Sequence, residues 1–328
     1  MHKRTLLNLL VFSFVLLLQP GFNAIQQYQL YPSRFGIRQP PVPIPTSAVI
    51  PIAKSSWRPT NLTAKGAIVI DQESGSILFA KNPDSQFFPA SLTKLMTAMV
   101  ALEAYPLDKV ITINDESAAV GSSMKLQKGE RITVQNLLKG LLISSGNDSA
   151  FALANNYPTG YDGFVQKMNE TARVFHMNRT IYKNVSGVEQ AGHLTTVRDM
   201  ATLTKEAMKQ PLIRETVKTQ TLSVSDVDGQ FVHNLTSTNQ LLGKIEGIEG
   251  VKTGWTDDAG QCLITQTTRD GHTIITVILG SNDRFGETES LINWSFANHR
   301  WKNYRFEDWL DGATGETDVT ADTATAGT

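Results

Sequence analysis

Residues 91–104 constrain the fold most strongly, because they are apolar around nearly the whole helical circumference yet begin with a serine and a lysine. A helix that is hydrophobic on all sides is stable only when it is buried on all sides. Tyr105-Pro106 ends the pattern, since proline disfavours a helical conformation in the residue before it. The stretch therefore predicts a helix at the centre of a domain, with Ser91 and Lys94 meeting on one of its faces.

The pair Ser91 and Lys94 indicates nucleophilic chemistry. A serine hydroxyl is a weak nucleophile and needs a base to accept its proton. A lysine can be that base when burial, a place in the first helical turn and a second nearby cation lower its pKa. The same four-residue pattern occurs again at Ser122–Lys125, where polar and glycine-rich surroundings predict a surface loop.

Ser145-Gly146-Asn147 lies between two predicted helices, 133–143 and 149–155. At such a corner, side chains can project into a cleft, so Ser145 could relay a proton and Asn147 could orient Lys94 and a substrate carbonyl. The alternative is a helix-capping segment, with Asp148 or Ser149 as the cap.

Lys252-Thr253-Gly254 follows a short apolar segment and predicts a strand. Glycine in a strand permits the close approach of another backbone, which suits a peptide substrate that adds alongside. Lys252 and Thr253 could then bind a carboxylate, and Lys252 could be the second cation beside Lys94. The alternative is an ordinary strand end with a solvated lysine.

The remaining pattern predicts an α+β domain. Hairpins are expected at 67–80 and 261–279, one near each end of the domain, with mostly helical sequence between them and a closing helix at 287–300. Strands at both ends with helices between them predict one antiparallel sheet built from both ends of the chain, beside a helical subdomain.

The termini differ from this domain in composition. Residues 1–24 combine basic residues with a short apolar run, which predicts either a signal peptide or an N-terminal membrane anchor. Residues 25–60 are proline-rich and predict an extended linker. The catalytic domain is expected at 61–305, followed by a disordered tail at 306–328 that is rich in Thr, Ala, Gly and Asp.

Composition excludes several classes of function. The chain has 30 Lys and Arg against 31 Asp and Glu, so no overall positive field would attract nucleic acid. Cys262 is the one cysteine, and the six histidines are dispersed without a His-Glu-x-x-His pattern. We therefore predict no cofactor, no metal site and no internal disulfide.

The three short motifs occur together in one order, and their surroundings resemble a known family. Phe88–Ala98, Leu142–Ala150 and Gly250–Thr256 resemble the low-molecular-mass penicillin-binding D-alanyl-D-alanine carboxypeptidases, the S11 serine peptidases. The segments at Asn184–Gly187 and His193–Ala201 are also similar. The resemblance implies the penicillin-recognising, β-lactamase-like serine transferase fold.

The resemblance also implies a role for each motif residue in cleaving peptidoglycan stem peptides that end in D-Ala-D-Ala. Ser91 would be acylated, with Lys94 as its general base, and Ser145 and Asn147 would relay protons and orient the substrate. The substrate-binding set would be Lys252, Thr253, Gly254, Trp255 and Arg284. Of these, Trp255 would form the oxyanion hole with Ser91 through backbone amides, and Arg284 would help to hold the terminal carboxylate.

Other implications concern partners and location. β-Lactam antibiotics would be covalent inhibitors, and the enzyme would act outside the cytoplasm, with membrane tethering through the N-terminus as one option. His193 and Asp199 are predicted to be a packed loop histidine and part of a helix start capped by Thr196. Many relatives carry a further β-rich domain and an amphipathic C-terminal helix, which we expect to be absent here.

Three other functions remain as alternatives. A DD-endopeptidase would use the same residues on cross-linked peptides. A class A β-lactamase is disfavoured, because Gly146 stands where those enzymes have Asp and no deacylating Glu can be placed. A cell-wall-binding pseudoenzyme is disfavoured because all the reactive residues are present.

Overall fold

The computed structural model describes residues 47–114 and 121–305. The helices of these residues are α1 (Lys94–Ala104), α2 (Val134–Ile143), α3 (Asn147–Asn155), α4 (Gly160–Val174), α5 (Val197–Ala207), α6 (Pro211–Val217) and α7 (Arg284–Asn298). The strands are β1 (Ser47–Ala53), β2 (Gly66–Asp71), β3 (Ile77–Lys81), β4 (Val110–Thr112), β5 (Arg131–Thr133), β6 (Thr221–Ser225), β7 (Val232–Thr236), β8 (Lys252–Thr256), β9 (Gly260–Arg269), β10 (His272–Ser281) and β11 (His299–Arg305).

The central sheet is antiparallel and has the strand order β3-β2-β10-β9-β8. Its strands come from the early and late parts of the chain, and the helices α1 to α6 lie between them in sequence. This arrangement confirms the predicted α+β class and both predicted hairpins. It also places β8 at an edge of the sheet, where a peptide can pair with it.

Side chains alternate between two cores on either side of the sheet. In β2, Ile68 and Ile70 belong to a large cluster shared with the helices, whereas Ala67 and Val69 pack in a smaller cluster. The smaller cluster includes Leu291 of α7. This period of two is expected for a strand that is covered on both faces.

Helix α1 lies in the larger core, as its all-round apolar pattern predicts. It begins at Lys94 rather than at Ser91, because Ala90–Thr93 form a preceding 3-10 turn. The tight turn is consistent with the backbone of Ala90, whose φ of 47° is in the left-handed region. The predicted helix start at Ser91 is therefore wrong by three residues, and Ser91 lies on the turn.

Two other boundaries differ from the predictions. β1 lies inside the predicted linker. Its residues 48–52, which are apolar, form part of an antiparallel pairing with β11. Its proline, Pro51, is tolerated because this is a two-stranded ribbon with open edges. The closing helix ends at Asn298, and the residues after it form β11.

The predicted leader at 1–24 and the predicted tail at 306–328 lie outside the described residues. Within 47–114 and 121–305, no helix combines the length and apolar character that a membrane span requires.

Candidate active site

Ser91 and Lys94 meet where the 3-10 turn joins α1. The Lys94 Nζ atom lies 2.8 Å from the Ser91 Oγ atom and donates a hydrogen bond to the Ser186 carbonyl oxygen, also at 2.8 Å. The Lys94 side chain is completely buried, whereas Ser91 is partly exposed. A buried amine that contacts a reachable hydroxyl is the geometry that proton removal from serine requires.

A close backbone contact supports the turn that carries Ser91. Gly187 has a φ of +85°, and a Cβ atom at this position would lie 1.8 Å from the Ala90 carbonyl oxygen. That oxygen also accepts a hydrogen bond from the Thr93 hydroxyl at 2.8 Å. Only glycine allows the segment before Val188 to approach the turn so closely.

His193 extends this support, and its role beyond packing was not predicted. The ring is buried, and its Nδ1 atom accepts a hydrogen bond from the Lys183 backbone amide at 3.1 Å. The proton therefore lies on Nε2, which donates to the Thr93 hydroxyl at 2.9 Å. Burial lowers the pKa of His193 to about 4, so the ring is neutral at pH 7. His193 is thus a positioning residue that contacts the Ser91 turn through Thr93.

Lys252 is the second buried lysine of the site. Its Nζ atom donates to the Ser145 Oγ atom at 2.8 Å and to the Thr253 carbonyl oxygen at 2.9 Å. Burial and then the charge of Arg284 lower the pKa of Lys252 to about 7. The strand predicted for these residues is confirmed, and the alternative of a solvated lysine is wrong.

Lys94 has a pKa far below its usual range. Burial is the larger cause, and the positive charge of Lys252 is the second, while Asp148 opposes the shift. Both effects disfavour the ammonium form, because a buried charge loses hydration and a like charge repels it. The direction and the two causes agree with the predicted lowering of the Lys94 pKa by burial and a second cation.

Ser145 and Asn147 lie at the corner between α2 and α3, as predicted. Ser145 has a φ of 58°, which turns the chain between α2 and α3. Asn147 is the first residue of α3, is buried, and donates its backbone N–H to the Ser122 carbonyl oxygen at 2.7 Å. The N-cap residue of α3 is Gly146, so Asp148 and Ser149 lie inside the helix and not at its cap position. The Asp148 carboxylate still accepts a hydrogen bond from the Ser149 backbone amide at 2.9 Å, in the first turn.

Asp148 instead fixes the loop that carries the second Ser-x-x-Lys pattern. One carboxylate oxygen accepts from the Met124 amide, and the other accepts from the Ser123 hydroxyl and the Leu126 amide, at 2.6 to 3.1 Å. Lys125 is exposed, which confirms the surface-loop prediction. The loop nevertheless contributes to the site, because Gly121 and Ser122 line the cleft beside Asn147.

β8 passes directly over the Ser91 turn. A Cβ atom on Gly254 would lie 3.0 Å from the Ser91 backbone nitrogen, so glycine is needed for this approach. Arg284 donates from its guanidinium to the Gly254 carbonyl oxygen at 2.8 Å. Thr253 contacts the hydroxyl of Thr238, 2.5 Å away, so the segment 237–239 lies beside β8.

An open cleft of about 370 Å³ gives access to Ser91. It is lined by Ser91, Gly121, Ser122, Asn147, Gly187, Val188, Glu189, Trp255, Thr256 and Asp257. Lys94, Ser145 and Lys252 are buried. The structure thus brings all three predicted motifs to one place, and Arg284 reaches it from α7. Among the residues described, His, Cys, Asp and Glu form no group of three that could hold a metal ion.

Comparison with known proteins shows which family the chain is similar to. The profile of the D-alanyl-D-alanine carboxypeptidases, peptidase S11, matches residues 53–283. The D-alanyl-D-alanine carboxypeptidase DacF of Bacillus subtilis is 32% identical over 246 residues, which are 72% of this chain and 63% of DacF. A D-alanyl-D-alanine endopeptidase of Pseudomonas aeruginosa is 34% identical over 240 residues, 71% of this chain and 77% of the relative.

A solved structure has the same fold. The crystal structure of the Streptomyces K15 DD-transpeptidase is 31% identical and superposes with a TM-score of 0.70, covering 74% of this chain and 99% of the other. The similarity thus spans nearly all of that enzyme, whereas this chain matches less than two thirds of DacF. The predicted β-lactamase-like serine transferase fold is confirmed.

The contact between Gly187 and the Ser91 turn can be tested by unfolding. Gly187→Ala should lower the free energy of unfolding by about 3 kcal/mol, because the added Cβ combines left-handed strain with a backbone clash. The matched control is Gly229→Ala, whose φ is +69° but whose added Cβ would meet nothing within 4 Å. It should lose only about 1 kcal/mol from backbone strain. Equal losses in urea unfolding would show that the contact does not support the turn.

Proposed function

Since the chain belongs to the peptidase S11 family of D-alanyl-D-alanine carboxypeptidases, we propose that it removes the terminal D-Ala of peptidoglycan stem peptides. The observation that carries this proposal is the 2.8 Å contact between the Ser91 hydroxyl and the fully buried Lys94 amine. The reaction proceeds through an acyl-enzyme on Ser91, in two steps.

In the first step the Ser91 Oγ atom attacks the carbonyl carbon of the penultimate D-Ala, and its proton passes to the neutral Lys94 amine. The bond to the terminal D-Ala breaks, and the leaving nitrogen takes up a proton. Ser145 serves as the relay for that proton, since its hydroxyl contacts Lys252 at 2.8 Å. In the second step, water attacks the ester, and the shortened peptide leaves as a carboxylate while Ser91 regains its proton.

Negative charge develops on the carbonyl oxygen during both steps. We assign its stabilisation to the backbone amides of Ser91 and Trp255, which belong to the two elements that meet at Gly254. The support for this assignment is the 3.0 Å approach of the Gly254 Cβ position to the Ser91 nitrogen. Asn147 lines the same cleft and orients the substrate amide.

The terminal carboxylate of the substrate binds at the cationic end of β8. Lys252 and Arg284 supply positive charge, and Thr253 supplies a hydroxyl. Arg284 is half-buried, and burial lowers its pKa, so an incoming carboxylate would compensate a desolvated guanidinium. β-Lactam antibiotics would acylate Ser91 in place of the peptide and would inhibit the enzyme covalently.

A second candidate function is cleavage of peptide cross-links by the same residues. The observation that favours it is the 34% identity to an enzyme named as a D-alanyl-D-alanine endopeptidase. Mass spectrometry of cross-linked muropeptides after incubation would distinguish the two, since a carboxypeptidase leaves the cross-links intact.

The site of action follows from the substrate. Peptidoglycan lies outside the cytoplasmic membrane, so we propose that the enzyme is exported by residues 1–24, as a cleaved signal peptide or as a membrane tether. Residues 25–46 would then separate that segment from the folded domain.

Covalent labelling tests the proposed nucleophile. A fluorescent penicillin should label the purified protein at a ratio of one per chain and release of D-Ala from a model pentapeptide should be measurable. Ser91→Ala should abolish both, because no other hydroxyl contacts Lys94 within the described part of the chain. Ser122→Ala, at the corresponding position of the other Ser-x-x-Lys pattern, is the matched control and should keep the label. Absence of label on the folded wild-type protein would contradict the proposal.

Lys94 and Lys252 are expected to have opposite effects on the pH dependence of activity. Activity should rise with pH as Lys94 becomes neutral, and it should fall as pH passes about 7, where Lys252 loses the charge that binds the carboxylate. The falling limb should appear in kcat/KM for a peptide with a free terminal carboxylate and should be weaker for its methyl ester. Identical falling limbs for the two substrates would contradict the role of Lys252 in carboxylate binding.

A further inference from the structure

The ribbon formed by β1 and β11 has one face that packs on the domain and one that does not. On the packed side, the Trp301 ring stacks on His272 with ring centroids 4.5 Å apart, and His299 is buried. Side chains alternate along a strand, so Arg300 and Lys302 project from the opposite side. Both of these cations are exposed.

Apolar side chains share this outward side with the cations. Ile50 pairs with Lys302 and Ile52 pairs with Arg300 in the antiparallel register, and directly paired residues project from the same face. The Lys302 Nζ atom lies 4.8 Å from the centre of the Tyr304 ring. Ile50 and Tyr304 are each 36% exposed. We call these five residues, Ile50, Ile52, Arg300, Lys302 and Tyr304, the basic face.

The chain that follows β1 adds an aromatic side chain and another cation. Trp57 is 64% exposed, and its backbone carbonyl oxygen accepts a hydrogen bond from the Trp294 indole at 3.1 Å. Burial lowers the pKa of His299, and the charge of the exposed Arg58 lowers it further. Since His299 is the neighbour of Arg300, this segment lies beside the basic face.

No ion pair neutralises these cations in the part of the chain that the structure describes. Residues 47–62 and 299–305 contain no Asp or Glu. Within 47–114 and 121–305, no carboxylate forms an ion pair with Arg58, Arg300 or Lys302. The surface is therefore locally positive and attracts an anionic partner, although the whole chain is close to neutral.

The mixture of cations with exposed apolar side chains favours a lipid surface over other partners. A soluble polyanion would bind the cations but would leave Ile50 and Trp57 in water. A second copy of the chain, related by a two-fold axis, would bring Arg300 and Lys302 close to their own equivalents. Anionic headgroups attract Lys and Arg, and the interfacial layer of a bilayer accommodates Trp and Tyr.

We propose that the basic face, together with Trp57 and Arg58, docks the folded domain on a bilayer that contains anionic phospholipid. The cations contact headgroup phosphates, and the side chains of Ile50, Trp57 and Tyr304 enter the interfacial layer. β1 directly follows residues 1–46, which include the proposed leader, so docking adds to a tether without depending on one. The inference goes beyond the proposed peptidase activity, which is measured on soluble substrates.

Vesicle co-sedimentation of the full-length protein tests this surface. Vesicles of phosphatidylcholine are compared with vesicles in which about one third of the lipid is phosphatidylglycerol. The wild-type protein should bind the anionic vesicles more strongly at low salt, and the preference should be lost at about 1 M NaCl, where charges are screened within about 3 Å. Equal binding to the two kinds of vesicle at low salt would overturn the proposal.

Two triple variants separate the basic face from net charge. R58Q/R300Q/K302Q should lower the partition coefficient for anionic vesicles about hundredfold, since each cation at such a surface contributes roughly fivefold. The matched control R173Q/K209Q/K244Q removes three exposed cations elsewhere and should keep most of the binding. Both variants keep residues 1–46 and have the same net charge, so equal losses would overturn the proposal.

A further variant, I50T/I52T, tests the apolar contribution. Threonine keeps the β-branched shape that suits a strand but is less apolar. This variant should bind anionic vesicles several-fold more weakly, with unchanged binding of soluble polyphosphate. Unchanged vesicle binding would overturn the proposal in favour of a polyanion site.

Two further outcomes are distinguishable from these. A wild-type dimer that dissociates in R58Q/R300Q/K302Q would assign the basic face to a second copy of the chain and would overturn the proposal. All variants should release D-Ala from a soluble pentapeptide at the wild-type rate, which shows that they are folded. A wild-type protein that binds anionic vesicles but releases no D-Ala would support the docking surface and contradict the proposed function alone.

Discussion

The structure depends on a lysine amine that is buried beside a serine hydroxyl. A charged ammonium group would be costly to hold without water, so the protein interior favours the neutral amine. Lys94 satisfies its hydrogen-bonding capacity through the Ser186 carbonyl and the Ser91 hydroxyl. The same burial that disfavours the charged form of Lys94 favours the neutral amine, which is the form that can accept a proton.

Elements from different parts of the chain surround the buried Lys94 amine and favour its neutral form. The sheet formed by both ends of the domain presents Lys252 on β8, whose charge lowers the pKa of Lys94. Helix α7 adds Arg284, whose charge lowers the pKa of Lys252. The helical region contributes Ser145, which contacts Lys252. Gly187 and His193 support the turn beneath Ser91 from a third segment. No single supersecondary unit contains the site, so its geometry requires the complete fold.

The reactive residues could be predicted from the sequence, whereas the residues that position them could not. Ser91, Lys94 and Lys252 could be found because charged or nucleophilic residues inside apolar helices and strands need a chemical reason. The contact of His193 with Thr93 could not be found, because it joins residues 100 positions apart and a packed histidine has the same local pattern. No sequence pattern indicated Glu189 either, because its place in the cleft depends on the turn at 256–258. β1 was missed because Pro51 and the proline-rich sequence before it are typical of a linker, and the pairing with β11 cannot be read from the local sequence.

We propose that Lys94 is a neutral amine at pH 7, and an NMR titration of the lysine side-chain nitrogens tests this directly. The Lys94 resonance, assigned by its absence in Lys94→Met, should titrate far below the ordinary lysine pKa of about 10.4. In Lys252→Met its pKa should rise, because one of its two causes is removed, but should stay below the ordinary value because burial remains. A Lys94 that titrates near the ordinary value in the folded wild-type protein would contradict its role as a neutral base.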